Sequence, residues 1–156
     1  QKQKKILELG VYLGYSTIRI LRNLDNFSKL TSIESNKKFA EIAKEHIKIS
    51  GLSENHELLI GKTTQIIPTL DEKFDFIFID HWKDLYLEDL KMLERKKLIK
   101  HNAWIFADNV ILFNLEDYLG YVRSSPNYQS KFISTKREYS KSHPDGIEIS
   151  IFKDEI

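Results

Sequence analysis

The chain has 156 residues, of which 41% are hydrophobic and 30% are charged, and its formal net charge is +1. These values predict one soluble globular domain and give no electrostatic reason to expect nucleic acid as a partner. The chain contains no cysteine, which excludes disulfides and thiolate zinc sites and is compatible with a reducing compartment such as the cytoplasm. No signal peptide is visible, and no apolar run approaches the ~20 residues of a membrane span.

Residues 1–156 form one predicted domain, in which strand patterns alternate with helix patterns. The chain reaches its first strand almost at once after Gln1, and we therefore expect that a segment preceding this residue is missing. Five strands are predicted by short apolar stretches at Ile6–Leu9, Leu30–Glu34, Leu58–Ile60, Phe74–Ile79 and Trp104–Ala107.

Helix signals separate these strands. A turn at Gly10–Gly14 precedes Ser16, which is a predicted N-cap, and Asn36 caps a longer helix that Gly51 ends. A helical turn follows Gly61, and two later helices are predicted around residues 87–93 and 115–123.

The tail contains two alternating segments, Tyr128–Thr135 and Gly146–Phe152, which predict an antiparallel pair at the sheet edge. The whole pattern predicts an α/β fold with a Rossmann-like, doubly wound, mostly parallel seven-stranded sheet and an antiparallel strand at its C-terminal edge. Ligands bind such sheets at the rim beyond the carboxyl ends of the strands. The residues predicted at that rim are Gly10, Glu34, Gly61, Asp80 and Asp108.

The first rim feature is the pair of Gly10 and Gly14 followed by Glu34. A glycine after the first strand lets a ligand approach the backbone, and an acid after the second can accept both hydroxyls of a ribose. The spacing G-x-x-x-G differs from the dinucleotide pattern G-x-G-x-x-G, which favours a nucleoside ligand such as S-adenosylmethionine over NAD. A tight strand–helix turn with a solvated glutamate explains the same residues equally well.

The second rim feature is the set Asp80, Asp108 and Asn109, which follows two strands expected to be neighbours. Three oxygen donors at one point suit Mg²⁺, which keeps positions open for water or a chelating substrate. Lys83 follows closely and is a candidate base for a bound hydroxyl. The alternative is that both aspartates cap the elements that follow them.

Aromatic residues occur both on the rim and in the strands. A histidine or tryptophan is commonly structural, but the position of His81 and Trp82 directly after Asp80 makes packing against flat rings at least as good an interpretation. The alternating strand aromatics are predicted core residues, namely Phe76, Phe78, Trp104 and Phe106.

With these residues assembled, the sequence resembles the catechol O-methyltransferases. The matching blocks run in order along nearly the whole chain. They are LELGVYLGYS (7–16), IESN (33–36), the glycine and IIP of GKTTQIIP (61–68), FIDHWKDLYL (78–87), ADNV (107–110) and DGIE (145–148). DHWKD is far more specific than a glycine-rich turn.

The resemblance implies the Rossmann-like methyltransferase fold and S-adenosylmethionine as cofactor. Glu34 would hold the ribose, His81 and Trp82 would flank adenine and substrate, and Gly61 would lie beside the adenine. The methionine part would be lined by Gly10, Tyr12 and Ser16, and Thr63 and Thr64 stand where the family has a serine and a glutamine near the adenine edge.

The resemblance also implies a catechol-like small-molecule substrate bound next to Mg²⁺. Asp80, Asp108 and Asn109 would hold the metal, and Asn109 would also line the substrate site with Trp82. Lys83 would take the proton from one catechol hydroxyl, and Glu138 would hold the other.

Several positions depart from the family. Phe113 stands where the family has a gatekeeper proline, and Arg137 precedes Glu138 where the family has an apolar residue. We expect Arg137 to favour catechols that carry a carboxylate, because a guanidinium pairs well with one. The loop at 140–145 is one residue longer, and the family's helices before the first strand are absent from these 156 residues.

Three readings of function remain beside the Mg²⁺-dependent catechol O-methyltransferase. A methyltransferase for another vicinal-diol phenol shares its metal and cofactor. A catalytically silent protein that binds S-adenosylmethionine needs no intact metal and base residues. An NAD dehydrogenase is disfavoured by the glycine spacing.

Overall fold

A computed structural model describes residues 3–136 and 144–154 of the chain. The strands are β1 (Lys5–Leu9), β2 (Lys29–Glu34), β3 (His56–Ile60), β4 (Phe74–Ile79), β5 (Ile99–Ala107), β6 (Tyr128–Lys136) and β7 (Pro144–Phe152). The helices are α1 (Tyr15–Leu21), α2 (Lys37–Ile49), α3 (Thr63–Ile66), α4 (Tyr86–Arg95) and α5 (Glu116–Ser124), with short 3-10 turns at Ser53–Asn55, Ile67–Thr69 and Lys83–Leu85. Within these ranges no helix is long and apolar enough to cross a membrane.

The strands form one sheet in the order β3-β2-β1-β4-β5-β7-β6. The first five strands pair in parallel, whereas β7 runs antiparallel to both of its neighbours. The predicted doubly wound, mostly parallel sheet is therefore confirmed, as is the antiparallel pair at its C-terminal edge. Within that pair β6 is the outer strand, so the last strand of the chain lies inside the sheet.

The larger core lies on the face that α4 and α5 cover. Leu7, Ile77 and Ile105 are register neighbours on β1, β4 and β5, and all three are fully buried. Leu90 of α4 and Val122 of α5 pack into the same cluster. Because apolar side chains from three adjacent strands meet two amphipathic helices here, this face fixes the strand ends relative to one another.

The opposite face is covered more completely over β2 and β3 than over β5. Helices α1 and α2 pack against β2 and β3, where Leu21, Leu30 and Ile47 are buried. Trp104, which continues this face across the sheet, remains 47% exposed, and the prediction that it is a core residue is wrong. Alternation shows which side chains share a face, but it does not show whether a helix covers that part of the face.

The predicted helix starts are partly confirmed. Asn36 caps α2 by accepting hydrogen bonds from two backbone N–H groups. The prediction for α1 is wrong, because Gly14 stands at its N-cap in a left-handed conformation without a side-chain cap. Ser16 lies inside the first turn and donates instead to Glu8 Oε1 at 2.7 Å. A buried carboxylate has therefore taken the hydroxyl that was expected to cap the helix.

Candidate active site

Backbone hydrogen bonds join the segments that follow β1, β4 and β5. The N–H of Asp80 donates to Leu9 O at 2.9 Å, and the N–H of Asp108 donates to Ile79 O at 3.0 Å. Each segment is thus fixed to the end of the neighbouring strand. The turn after β1 and the two aspartates consequently lie side by side on the predicted rim.

Gly10 is required by this close approach. Its φ is +96°, and a Cβ at this position would lie 2.5 Å from Asp80 O and 2.8 Å from His81 Cα. A side chain would clash with the backbone that follows β4, so the turn needs glycine. The interpretation of this motif as a tight strand–helix turn is supported, and the turn also brings its backbone to the rim.

Glu34 fixes that turn from the end of β2. Its Oε2 accepts hydrogen bonds from Val11 N at 3.1 Å and Tyr12 N at 2.9 Å, and its Oε1 accepts one from Asn36 N at 2.8 Å. The residue is only 8% exposed, whereas Tyr12 is 61% exposed and packs edge-on against Phe39. The carboxylate therefore lies inside the turn, and a role in ribose binding remains a prediction.

Glu8 is a buried acid that the sequence interpretation missed. It is 0% exposed on β1 and accepts hydrogen bonds from the hydroxyls of Ser16, Thr17 and Ser32 at 2.6–2.7 Å. Burial raises the pKa of the Glu8 carboxyl, and the three hydroxyl groups oppose this increase. The signal was a charged residue inside the apolar strand ILEL, since such a residue needs partners.

His56 continues this network on β3. Its Nε2 lies 3.0 Å from the Ser32 oxygen. The Ser32 hydroxyl hydrogen is used on Glu8, so Nε2 carries the hydrogen that is donated to Ser32. Burial lowers the pKa of His56 from 6.5 to about 4. The histidine is therefore neutral near pH 7.

Lys83 contacts the second rim feature, the set Asp80, Asp108 and Asn109 that was predicted to bind a metal. Its Nζ donates to Asp80 Oδ1 at 2.6 Å, to the Tyr86 hydroxyl at 2.7 Å and to Asn109 Oδ1 at 3.1 Å. These three acceptors match the three hydrogens of an ammonium. The ring of Phe113 lies 5.3 Å from the same nitrogen. Lys83 thus brings together two of the residues predicted to bind a metal.

Tyr86 was missed by the sequence interpretation. Its hydroxyl accepts from Lys83 and donates to the backbone oxygen of Asp108 at 3.1 Å, and the residue is fully buried. Burial, followed by the charges of Asp80 and Asp108, raises the pKa of this phenol above its ordinary value. Tyr86 follows Lys83 at helical spacing, and this spacing was the available signal.

The third predicted metal residue, Asp108, adjoins the same group. Burial, together with the charge of Asp80, raises the pKa of its carboxyl. Asn109, with a left-handed φ of +58°, donates its backbone N–H to Asp108 Oδ1 at 2.8 Å. The carboxylates of Asp80 and Asp108 thus lie near each other and near the amide oxygen of Asn109, and both carboxylates contribute negative charge. This donor set fits a hard divalent cation.

His81 and Trp82 point in different directions. His81 Nε2 lies 2.7 Å from Asp89 Oδ2, and the imidazole stacks on Tyr86. Trp82 is 72% exposed, and its indole N–H donates to Asp84 at 3.2 Å. Trp82 is therefore free to pack against a ligand, whereas the His81 ring is held inward beneath the rim.

The segment after β3 carries the remaining predicted cofactor residues. Thr63 is buried, and its hydroxyl oxygen has no hydrogen-bond partner among the described residues. Thr64 is half-buried beside it, and Gly61 donates its N–H to Glu34 O at 2.9 Å. An unpaired buried hydroxyl beside a rim glycine fits a polar ligand edge such as that of a nucleoside.

A pocket of about 550 Å³ opens beside Lys83. Phe113 forms part of its wall and is 52% exposed. Four carboxylates also line it, those of Asp84, Glu88, Glu116 and Asp117. The space next to the candidate base is therefore partly aromatic and strongly acidic.

Comparisons with known proteins identify the family. A model of O-methyltransferase sequences matches residues 1–137. The chain belongs to the O-methyltransferase family. It is 40% identical to catechol O-methyltransferase B of Danio rerio over 154 residues, which cover 96% of this chain and 58% of the relative. It is 36% identical to catechol O-methyltransferase of Sus scrofa, covering 98% of this chain and 84% of the relative.

A solved O-methyltransferase confirms the fold. The structure of TomG from Streptomyces achromogenes in complex with SAM has a TM-score of 0.87 and 25% sequence identity to this chain. The match covers 97% of this chain and 74% of TomG. The chain thus spans little more than half of the Danio rerio relative and about three quarters of TomG.

Two predicted substrate residues of this chain, Arg137 and Glu138, lie outside the described residues. Within the described ranges no group of three or more His, Cys, Asp or Glu side chains forms a metal site. The candidate set consists of two carboxylates, Asp80 and Asp108, and the amide of Asn109. Three such donors fill half of the octahedral coordination of Mg²⁺ and leave the other half to water and substrate, which is common for this ion.

Proposed function

We propose that this protein transfers a methyl group from S-adenosylmethionine to one hydroxyl of a catechol in a Mg²⁺-dependent reaction. The observation that carries the proposal is the position of Lys83 between Asp80 and Asn109, at the edge of the acidic pocket. It combines a candidate base, candidate cation ligands and space for a small aromatic substrate. A methyltransferase for another vicinal diol would use the same residues.

The turn after β1 and the end of β2 would bind the cofactor. The backbone of Gly10 and Tyr12 and the hydroxyl of Ser16 would line the methionine part, while Glu34 would accept the ribose hydroxyls. Glu34 already holds the turn by two backbone hydrogen bonds, so the acid and the turn would act together. The unpaired Thr63 hydroxyl, with Gly61 and Thr64, would meet the adenine beside Trp82 and the backbone of His81.

Asp80, Asp108 and Asn109 would hold Mg²⁺, which would supply Lewis-acid polarisation of both oxygens of the diol. Lys83 now donates hydrogen bonds to Asp80 and Asn109, the oxygens that the cation would use. The neutral amine would be the form that accepts a proton.

The chemistry would be a displacement at carbon. A catechol hydroxyl would give its proton to Lys83, and its oxygen would form a bond to the methyl carbon as the carbon–sulfur bond breaks. The electron pair of that bond would stay on sulfur, so the products would be a methoxyphenol and S-adenosylhomocysteine. Trp82 and Phe113, together with Glu138, would orient the ring. Correct placement of two reactants can supply on the order of 7–11 kcal/mol.

The experiment is a methylation assay with S-adenosylmethionine, a panel of catechols, and either Mg²⁺ or EDTA. We expect a methylated product that disappears with EDTA and is lost in Lys83→Arg, which keeps a positive charge but cannot act as a base. Product formation in EDTA would refute the metal assignment. Cofactor binding without product from any diol would identify a silent binding protein.

Substrate charge gives a further comparison. The pocket carboxylates favour a catechol with an amine, whereas Arg137 would favour a catechol with a carboxylate. The panel should therefore contain matched amine and carboxylate catechols, tested with the parent protein and with Arg137→Leu. Equal turnover of both substrates, unchanged in the variant, would refute the role proposed for Arg137.

A further inference from the structure

The amide of Asn109 has a different partner at each end. Its Nδ2 donates to Asp145 Oδ2 at 2.9 Å, and its Oδ1 accepts from Lys83 Nζ at 3.1 Å. The oxygen therefore faces the group that contains Lys83 and Asp80, while the nitrogen faces β7. A rotation of the amide by 180° would exchange these ends and remove an oxygen donor from the candidate cation site.

Asp145 is built to hold one orientation of that amide. It is 2% exposed, and its Oδ1 accepts hydrogen bonds from Leu112 N at 3.2 Å and Gly146 N at 2.8 Å. Two backbone donors thus fix one carboxylate oxygen and leave the other for Asn109. An ionised carboxylate accepts hydrogen bonds but cannot donate one, so only the nitrogen end of the Asn109 amide satisfies it.

We propose that Asp145 is a positioning residue that keeps the amide oxygen of Asn109 turned toward the cation site. The proposal rests on the proposed function, because it concerns the Mg²⁺ site assigned there. Asp145 belongs to the block DGIE, and the resemblance to the catechol O-methyltransferases implied no role for it. A partner that orients a metal ligand typically changes metal affinity by about 10–100-fold when it is altered.

Asp145→Asn tests the proposal with almost no change in shape. The backbone N–H groups of Leu112 and Gly146 require an oxygen, so the nitrogen of the new amide must face Asn109. Asn109 then satisfies this donor only by turning its own oxygen away from Lys83. The variant should therefore present an N–H group to the cation and lose affinity for it.

The double variant Asn109→Asp with Asp145→Asn provides the rescue. The new amide at 145 can donate to one oxygen of the new carboxylate at 109, whose other oxygen faces the cation site. The double exchange keeps the total charge of the pair. Because a carboxylate at 109 attracts a cation by its own charge, the recovery is measured against Asn109→Asp alone, in which the carboxylates at 109 and 145 face each other without a hydrogen between them.

The measurement is the binding of Mg²⁺ alone by titration calorimetry, without cofactor or substrate. We expect Asp145→Asn to weaken binding by about tenfold or more and the double variant to return to within about threefold of the parent protein. Glu148→Gln is the matched control, because Glu148 is also a buried acid on β7 but pairs with Arg123. Its Mg²⁺ affinity should not change.

The possible failures are distinguishable. If the parent protein does not bind Mg²⁺, the metal site of the proposed function is refuted, and this inference fails with it. If the parent binds and Asp145→Asn binds equally well, only the positioning role is overturned. A loss without recovery in the double variant also overturns it.

A measurement on the parent protein covers the case in which Asp145→Asn does not fold. Addition of Mg²⁺ should shift the side-chain carbonyl ¹³C resonance of Asn109, while its amide hydrogens remain bonded to Asp145. A shift confined to the amide nitrogen and its hydrogens would show the opposite orientation and overturn the proposal.

Discussion

Replacement of His56 by glutamine should remove a large part of the acid sensitivity of folding. In the folded protein burial lowers the pKa of His56 from 6.5 to about 4, so the unfolded state binds its proton more readily between these values. The stabilisation of the fold that depends on neutral His56 is therefore fully present above about pH 6.5, and it is lost as the pH falls from there toward about 4. A shift of about 2.5 pKa units corresponds to at most about 3 kcal/mol, of which roughly 2 kcal/mol should be lost between pH 7 and pH 5.

Glutamine is the appropriate substitute because its amide can donate to Ser32 as His56 Nε2 does. The other titratable group of this network, Glu8, acts in the opposite direction. Burial raises its pKa, so protonation of Glu8 stabilises the fold as the pH falls. The effect of His56 must therefore be read from the difference between parent and variant at each pH.

The assay is urea unfolding of both proteins at pH 7 and pH 5. The parent should lose about 2 kcal/mol more stability than His56→Gln over this interval. His101→Gln is the control, because it also removes a histidine, but one that is exposed on β5. Equal losses in the parent and in His56→Gln would refute the reasoning.

Three further substitutions test the turn and the lysine cluster. Gly10→Ala should lower the free energy of unfolding in urea by about 3 kcal/mol or more, because the new methyl group would clash with Asp80 O. Gly51→Ala is the control: Gly51 has a φ of +73° but open space around it, so the loss should be about 1 kcal/mol. Glu34→Gln should lower the affinity for S-adenosylmethionine by about tenfold in titration calorimetry, because the new amide nitrogen would face backbone N–H groups that now donate to the carboxylate. An unchanged affinity would contradict the proposed role of Glu34 in cofactor binding. Tyr86→Phe removes the hydroxyl that accepts from Lys83 and donates to Asp108 O, and it should reduce the free energy of unfolding by about 1–2 kcal/mol. It should also lower the methylation rate more than the affinity for the cofactor. An unchanged rate would argue against a role of Tyr86 in holding Lys83.

The strand ends were predictable because period-two apolar patterns stop abruptly at polar residues. Asp80 and Asn109 follow neighbouring strands, and their shared contact with Lys83 agrees with that expectation. The mostly parallel sheet and the pairing of β4 with β5 also followed from the alternation of strands and helices. These features depend on local patterns and on general rules of topology.

The remaining contacts join residues far apart in sequence or compete with a local signal. Asp145 meets Asn109 across 36 positions, and no local pattern predicts that pair. Ser16 has the residue type of an N-cap, but the buried acid Glu8 takes its hydroxyl. Trp104 alternates like a core residue although its part of the sheet face is incompletely covered. For Asp145 and Ser16 a tertiary contact decides the outcome. For Trp104 the outcome depends on incomplete coverage of the sheet by the described residues. The local sequence pattern does not contain this information.

The position of β7 makes the site depend on the order in which the chain is synthesised. The strand occupies residues 144–152 yet lies between β5 and β6, and it carries the carboxylate that holds Asn109. Until β7 has left the ribosome, β5 has an open edge on that side, and the amide is without this partner. The glycine turn and both aspartates precede β7 in the chain and can form earlier, so residues 144–152 close the edge of β5 and add the partner of Asn109 to the candidate site.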